Sequence, residues 1–214
     1  MGLFSKKQPQ LSVAYTARGA GGGLDQLVTM TNPTDDDLVP TLRFRPLTAY
    51  GQEIPGVTVT SVQGLDRGML KVPARSTARD LLRFDGPGCR QVCHVQTEVL
   101  DLFTVEPVSG LTIPPTVVMV DLDKLAVADP ENFWGIGVAN DNEEPMRVRV
   151  SVVELEPPHT DRKLRKASRQ PVDWGTLEGD VLLEPKSHDV VWLPDEMRGR
   201  YHAVLGGVTA LDLG

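Results

Sequence analysis

Short runs in which apolar and polar residues alternate recur along the chain and predict β-strands. In residues 146–152 (MRVRVSV) every second residue is apolar, and two arginines and a serine lie between them. Successive side chains of a strand point to opposite faces, so this pattern predicts an antiparallel strand with one buried and one solvated face. Residues 42–45 (LRFR) repeat the pattern. We expect the arginines to keep the outer face of a sheet soluble.

Most of the remaining apolar segments also predict strands, which makes the predicted fold class all-β. They lie at 11–17, 27–31, 57–62, 69–72, 77–84, 91–100, 116–120, 134–139, 181–183, 190–193 and 202–205. A helix of one or two turns is conceivable at 121–128. Residues 160–170 lack proline, but Leu164 is their only sizeable apolar residue, and an amphipathic helix needs more.

The chain contains an internal repeat. Residues 28–36 (VTMTNPTDD) align with residues 136–144 (IGVANDNEE), 108 positions later. Residues 68–76 (GMLKVPARS) align with 179–187 (GDVLLEPKS), 111 positions later, and Leu-Asp-Leu closes both copies at 100–102 and 211–213. In each copy an alternating run, an Asn-led acidic turn and a second run predict a β-hairpin with an acidic tip.

The repeat predicts two tandem antiparallel β-sandwich domains of the Ig-like kind, at residues 11–105 and 116–214. Residues 106–115 separate them and contain three prolines and a glycine, which predicts a stiff, extended linker. Residues 1–10 form an N-terminal tail in this scheme.

Charge and cysteine content narrow the function classes. With 22 basic and 29 acidic residues the net charge is -7, which excludes a generally cationic nucleic-acid coat. No apolar h-region or bilayer-spanning run occurs, which predicts a cytoplasmic protein, or a virion protein if a phage encodes it. Cys89 and Cys93 would lie ~13 Å apart on one strand, so a disulfide would need a turn between them. We expect reduced thiols.

Sequence signatures of catalysis are missing. There is no phosphate-binding loop, nucleophile elbow or zinc-binding helix motif. Residues 19–24 (GAGGGL) lack the third glycine of the dinucleotide fingerprint, and a strand follows them. None of the histidines, at 94, 159, 188 and 202, has a Ser or Cys nucleophile at a familiar spacing. We therefore predict that the protein is not an enzyme and uses no cofactor or metal.

A basic segment at residues 159–170 stands out on this acidic chain. It holds five Arg or Lys residues and one Asp, hence +4, so the rest carries -7 - 4 = -11. It is an insertion where the first copy has residues 48–56, and loops of this kind often carry binding functions. We predict contact with an acidic protein or a second copy of this chain through Arg162, Lys163, Arg165, Lys166 and Arg169. Two alternatives stay open: a solvated surface loop, and nucleic-acid or phosphate contact, which the lack of interleaved aromatic residues disfavours.

The first copy resembles a known type of module. The Asn-Pro acidic turn, residues 70–77 (LKVPARST) and the strand that ends in Arg83 and Phe84 resemble bacterial Ig-like and fibronectin-like β-sandwich modules, and also the sandwich proteins called sensory rhodopsin transducers. The resemblance covers roughly 60 residues of the first copy and the Pro-Lys-Ser of the second. It implies a non-enzymatic sandwich used for protein contact, often as an oligomer, and it carries over no functional residue. The duplication and the basic insertion depart from the transducer pattern.

These features together predict a structural or protein-interaction module, a component of a phage particle, a bacterial appendage or a cytoplasmic adaptor complex. Repeated units offer loops and sheet edges to partners. The alternative is a carbohydrate- or small-ligand-binding module, which needs an exposed aromatic platform. Trp134 and Trp192 lie in apolar strand contexts and are expected to fill cores, so Trp174 is the ligand-binding candidate.

Overall fold

The computed structural model describes residues 10–17, 24–65, 67–105, 113–157, 159–161, 166–168 and 177–208. Within these ranges it has two 3-10 turns, no α-helix and fourteen strands, which confirms the all-β prediction. The strands are β1 (Ser12–Tyr15), β2 (Leu27–Thr31), β3 (Asp37–Leu47), β4 (Thr58–Ser61), β5 (Thr77–Asp85), β6 (His94–Val105), β7 (Thr116–Val120), β8 (Gly135–Asn140), β9 (Met146–Glu154), β10 (His159–Asp161), β11 (Lys166–Ser168), β12 (Leu177–Leu183), β13 (Ser187–Trp192) and β14 (His202–Val208).

All pairings among the described strands are antiparallel, and each copy of the repeat contains two main sheets; the second copy also contains the two-stranded sheet of β10 and β11. In the first copy one sheet has the order β1-β2-β5-β4, and β3 pairs with β6. In the second copy the orders are β13-β8-β7 and β12-β9-β14. One buried cluster in each copy draws apolar side chains from both of its sheets. The apolar positions of residues 146–152 all lie in the second cluster, as their alternation predicts.

The sequence repeat is also a repeat of strand register. Leu27 pairs with Leu81 in the first copy, and the matching residues Gly135 and Trp192 pair in the second. The isolated bridge between Leu38 and Val72 corresponds in the same way to the pairing of Met146 with Leu183. The strand predicted at 69–72 is reduced to that single bridge, whereas its counterpart is the full strand β12.

The hairpins predicted at the acidic turns are wrong. β2 and β3 belong to different sheets, as do β8 and β9, so each acidic turn carries the chain from one sheet to the other. A buried asparagine holds the crossing. The amide of Asn32 donates to the backbone oxygens of Asp36 (2.7 Å), Val72 and Pro73 (both 3.1 Å). A side chain bound to a segment 40 positions away favours the crossing over a local hairpin.

The second copy reproduces this asparagine clamp. The amide of Asn140 donates to the backbone oxygens of Glu144 (2.8 Å), Glu184 (3.2 Å) and Leu183 (3.4 Å). The acidic tips are also alike: Arg75 pairs with Asp35, and Lys186 pairs with Glu143. Both basic residues have φ of +53°, so the same left-handed turn recurs.

The sequence left a helix open at 121–128 and at 160–170, and the described parts of these segments contain none. Residues 121–128 form no helix, because Val120 bridges to Ala126 and the Asp121 carboxylate accepts the backbone N–H of Leu125 at 2.9 Å. In the basic segment β10 and β11 pair, with Asp161 opposite Lys166.

The cysteines are free, and Cys93 is only half-buried. Within the described ranges, no helical segment has the length and apolar character needed to cross a bilayer.

Candidate interaction surface

The residues predicted to bind a partner or a ligand lie mostly outside the described part of the chain. This holds for Arg162, Lys163, Arg165, Arg169 and Trp174, and also for the central linker at 106–112. Only Lys166 falls within it, as the first residue of β11. The basic-loop and Trp174 hypotheses therefore stay predictions, as do the domain boundaries.

The two copies contact each other through an apolar cluster that joins them. Val62 and Leu81 come from the first copy, and Val153 and Leu205 come from the second; all four are buried. Leu24, Leu27 and Ala203 pack around them. Removing these side chains from water stabilises the contact by about 25 cal/mol for each Å² of apolar surface. The copies therefore have a continuous apolar junction between them.

A buried glutamine adds hydrogen bonds to this junction. Nε2 of Gln63 lies 3.3 Å from the backbone oxygen of Leu205 and 3.4 Å from that of Arg149, both in the second copy. Asp80 fixes the turn that presents Gln63, because its buried carboxylate accepts the backbone N–H groups of Gln63 (3.1 Å) and Gly64 (2.9 Å). Burial raises the pKa of Asp80, and these N–H donors partly offset that effect.

Two adjacent glycines let β14 fit between its neighbours. A Cβ at Gly206 would clash with Val117 of β7. A Cβ at Gly207 would lie 2.9 Å from Oε1 of Gln63 and 3.2 Å from Leu70, on the opposite side of the strand. Close approach of the two copies therefore depends on the missing side chain of Gly207.

The matching sheet of the first copy has a charged outer face. Arg43 and Arg45 each lie 3.4 Å from the carboxylate of Glu98. By the strand registers, these positions correspond to Ser151, Val153 and Leu205; Val153 and Leu205 belong to the junction cluster, and Ser151 pairs with Leu205. The solvated face predicted for β9 is thus wrong at Ser151, which is fully buried and whose hydroxyl has no hydrogen-bond partner.

A cleft of about 260 Å³ lies beside the junction, and Lys71 lines it together with Arg79, Pro114, Pro115 and residues 204–208. Lys71 forms a buried ion pair with Asp37 at 2.9 Å, and the side chains of both residues are 2% exposed. The other carboxylate oxygen of Asp37 accepts the backbone N–H of Ala74 at 2.8 Å. The ammonium is therefore already neutralised by an ion partner.

The histidines at 94, 188 and 202 are dispersed rather than gathered into a reaction centre. His94 contacts Tyr15 edge-on in the first copy, His188 is exposed on β13, and His202 packs against Phe133. Burial lowers the pKa of His202, although the nearby Glu154 carboxylate acts against this. In the part of the chain that the structure describes, no group of three His, Cys, Asp or Glu side chains could hold a metal ion.

An apolar outer face remains exposed on the second copy, and we call it the Trp192 face. Its residues share one side of the β13-β8-β7 sheet: Val118, Gly135, Gly137, Val190 and Trp192. Trp192 is 42% exposed and Val118 is 38% exposed. A Cβ at Gly135 would lie 2.8 Å from the Trp192 ring, so the indole lies over that glycine.

The core position predicted for Trp192 is therefore wrong. Its neighbour Leu193 is buried instead, and the two glycines of the facing strand were the only sequence signal for a platform on the outside. Trp134 is half-buried, with the guanidinium of Arg198 4.2 Å from its ring centroid.

No protein-family model matches the chain, and no match is found among the curated proteins.

Proposed function

We propose that the protein is a non-enzymatic structural or protein-interaction module made of two tandem Ig-like β-sandwich units. It works within a larger assembly, of which a phage particle, an appendage and an adaptor complex are examples. The observation that supports this most is the junction between the copies. Apolar burial together with the Gln63 hydrogen bonds favours one fixed orientation, in which the outer faces and loops are presented to partners together.

Several hydrogen-bonded or ion-paired buried groups support the same proposal. Asn32, Asn140 and Asp80 bind backbone groups, and Lys71 binds Asp37. A satisfied polar group stiffens a framework, whereas a catalytic nucleophile or base needs an accessible reacting atom. These residues are therefore assigned to positioning the two copies and their turns.

Loosening the junction tests the proposal. Full-length protein immobilised by a tag should retain its assembly partner, identified by mass spectrometry, and Gly207→Ala should weaken that retention. Gly179→Ala is the matched control, since its Cβ would meet only Val191 at an ordinary 3.6 Å. Retention that is the same in all three proteins would contradict a role for fixed orientation.

The predicted basic loop needs its own experiment. Replacing Arg162, Lys163, Arg165 and Lys166 by Ser should weaken a salt-sensitive contact, because exposed charges act through a screened potential. Association that is unchanged at both low and high salt would exclude the loop from partner binding.

The alternative, a carbohydrate- or small-ligand-binding module, is favoured by one observation, the exposed Trp192 ring. Sugar rings stack on accessible aromatic faces. A glycan array probed with wild-type protein, Trp192→Ala and Trp174→Ala distinguishes the two functions. Binding that either substitution abolishes would support the alternative, and a wild-type protein that binds no glycan would count against it.

A further inference from the structure

The strand β14 lies at the edge of its sheet, and half of its backbone groups point away from that sheet. Among the described strands it pairs only with β9. The N–H of Leu155 donates to the backbone oxygen of Tyr201 at 2.7 Å, which fixes the residues of β14 that bond β9. Bonding sides alternate along an antiparallel ladder. The N–H and C=O groups of Val204, Gly206 and Val208 therefore point to the free edge.

The strand β5 has a second free edge. Its even-numbered residues bond towards β2, as the hydrogen bond from the N–H of Asn32 to the backbone oxygen of Ser76 shows (2.9 Å). The backbone groups of Thr77 and Arg79 therefore point to the other side of β5. On that side β4 pairs only with residues 82–85. Within the described ranges, no strand covers this end of β5.

Both free edges line the cleft beside the junction. The consecutive residues 76–79 and 204–208 belong to its lining, so each strand presents backbone there as well as side chains. Pro114 and Pro115 form another wall, and because proline has no N–H it cannot bond the free carbonyl groups. An extended peptide carries donors and acceptors at the two-residue spacing of such an edge. The cleft therefore offers hydrogen-bonding groups that suit an added strand.

The two edges of the β12-β9-β14 sheet differ in their protection against added strands. The edge strand β12 carries Glu178 and Asp180. Charged side chains on an edge strand disfavour pairing with another chain. The strand β14 (HAVLGGV) contains no Asp, Glu, Lys or Arg. Its edge therefore lacks the charges that protect the opposite edge.

The charge of the cleft indicates which segments it accepts. Lys71 and Arg79 line it, and its described lining residues include no Asp or Glu. Asp37 neutralises Lys71, whereas Arg79 is exposed and has no ion partner among the described residues. Arg79 shares the junction side of β5 with Leu81, two residues later. A carboxylate on the incoming segment would give this guanidinium a charge-assisted hydrogen bond.

We propose that the cleft is a β-strand addition site. An extended segment of a partner protein pairs with the free edge of β14, and a carboxylate of that segment binds Arg79. The inference deepens the proposed interaction function and rests on it. The edge of β14 and the guanidinium of Arg79 belong to different copies. They can therefore bind one segment together only while the junction holds the copies in place.

A peptide library tests the site. Random eight-residue peptides displayed on phage and selected on the immobilised full chain should be enriched in Asp or Glu. Fluorescence anisotropy then measures the affinity of a selected synthetic peptide. Arg79→Glu should raise its dissociation constant by roughly tenfold or more, because attraction becomes repulsion. Replacing the carboxylate residue of the peptide by Lys should restore binding to that variant.

Arg67→Glu is the matched control, because Arg67 is an exposed arginine of the same copy that does not line the cleft. It should leave the affinity unchanged. Bound peptide should also slow amide hydrogen exchange at Gly206 and Val208, whose N–H groups it would cover. Equal effects of Arg79→Glu and Arg67→Glu, or exchange at Gly206 and Val208 that the peptide does not alter, would overturn the site.

A selection that enriches no peptide would also overturn it. If the tagged wild type then still retains an assembly partner and Gly207→Ala weakens that retention, the interaction function stands without the strand-addition site. If the wild type binds neither a peptide nor a partner, both proposals fail.

Discussion

The two copies of the repeat share an interior and differ in what their outer sheet faces do. In the first copy Arg43, Arg45 and Glu98 form a solvated ion cluster on β3 and β6. In the second copy Ser151, Val153 and Leu205 occupy the matching positions and are buried, Val153 and Leu205 in the junction cluster. Different outward-facing residues therefore make one face of the same scaffold solvated in the first copy and a contact surface in the second, while strand register and the asparagine clamps are the same in both.

The charged face of the first copy also explains why the contact made by the junction is not repeated from molecule to molecule. A face that carries charges in the first copy cannot receive the apolar surface that its counterpart receives. Natural sheet proteins use outward-facing charges in this way to prevent unwanted association. The ion cluster therefore acts against end-to-end growth, while the apolar contact stabilises the pair.

The largest expected effect comes from giving the second copy the residue of the first. Val153→Arg buries a guanidinium without a partner and should lower the free energy of unfolding by about 3 kcal/mol or more. The reverse exchange, Arg45→Val, removes an exposed ion pair and should change it by about 0.5 kcal/mol or less. Urea unfolding of both variants measures this, and equal losses would show that the junction does not stabilise the fold.

The next largest loss of stability comes from removing the asparagine clamps, and it should be the same in both copies. Asn32→Ala and Asn140→Ala each leave three backbone oxygens without their donor, which should cost about 2–3 kcal/mol in either case. Asn132→Ala is the control, because that exposed amide has one partner, the carboxylate of Asp129. Urea midpoints that differ strongly between Asn32→Ala and Asn140→Ala would mean that the two clamps are not equivalent.

Local pattern predicted the strands well, because the two-residue period depends on neighbours along the chain. It could not predict the crossings, since the amide of Asn32 binds backbone 40 and 41 positions away. The local pattern also could not show which side chains of residues 190–193 face the core. That run is apolar throughout, so either face of the strand could be the buried one. Ser151 lies on the face of β9 that alternation predicts to be solvated, and alternation along one strand does not reveal its burial there.

The sequence carried still less information about the candidate surface. Its strongest signals, the basic residues from Arg162 to Arg169 and Trp174, lie almost wholly outside the described ranges. The junction residues Gln63 and Gly207 carry no motif. Their roles follow from a contact between positions more than 140 residues apart in the chain, which can be seen only once the chain has folded.

A smaller loss of unfolding free energy should follow from adding a side chain at Gly207 of β14. Gly207→Ala places a Cβ 2.9 Å from Oε1 of Gln63 and should cost about 1–2 kcal/mol through overpacking. Amide hydrogen exchange should rise at residues 62–64, where the Gln63 turn is held. Gly179→Ala lies in the same sheet with ordinary space around it and should leave that exchange unaltered. Faster exchange in both variants would argue against a specific role for Gly207.

The smallest expected effect is a pH dependence of folding stability that has opposite signs in the two copies. Burial lowers the pKa of His202 in the second copy, so the unfolded chain takes up the proton first. The stability that His202 contributes is complete above its ordinary pKa of 6.5 and is lost as the pH falls towards the folded value. Burial raises the pKa of Asp80 in the first copy, so its contribution is complete below the ordinary 3.8 and is lost as the pH rises through the folded value.

Tryptophan fluorescence can separate these responses, because all three tryptophans lie in the second copy, whereas far-ultraviolet circular dichroism follows strands of both. Between pH 7 and pH 5 the urea midpoint from fluorescence should fall relative to the midpoint from circular dichroism. His202→Leu should remove that divergence, because no imidazole is left to protonate, and His188→Leu on the exposed side of β13 should preserve it. Midpoints that stay together in the wild type at every pH would mean that the junction makes the two copies unfold as one unit, and that their difference is confined to the surface.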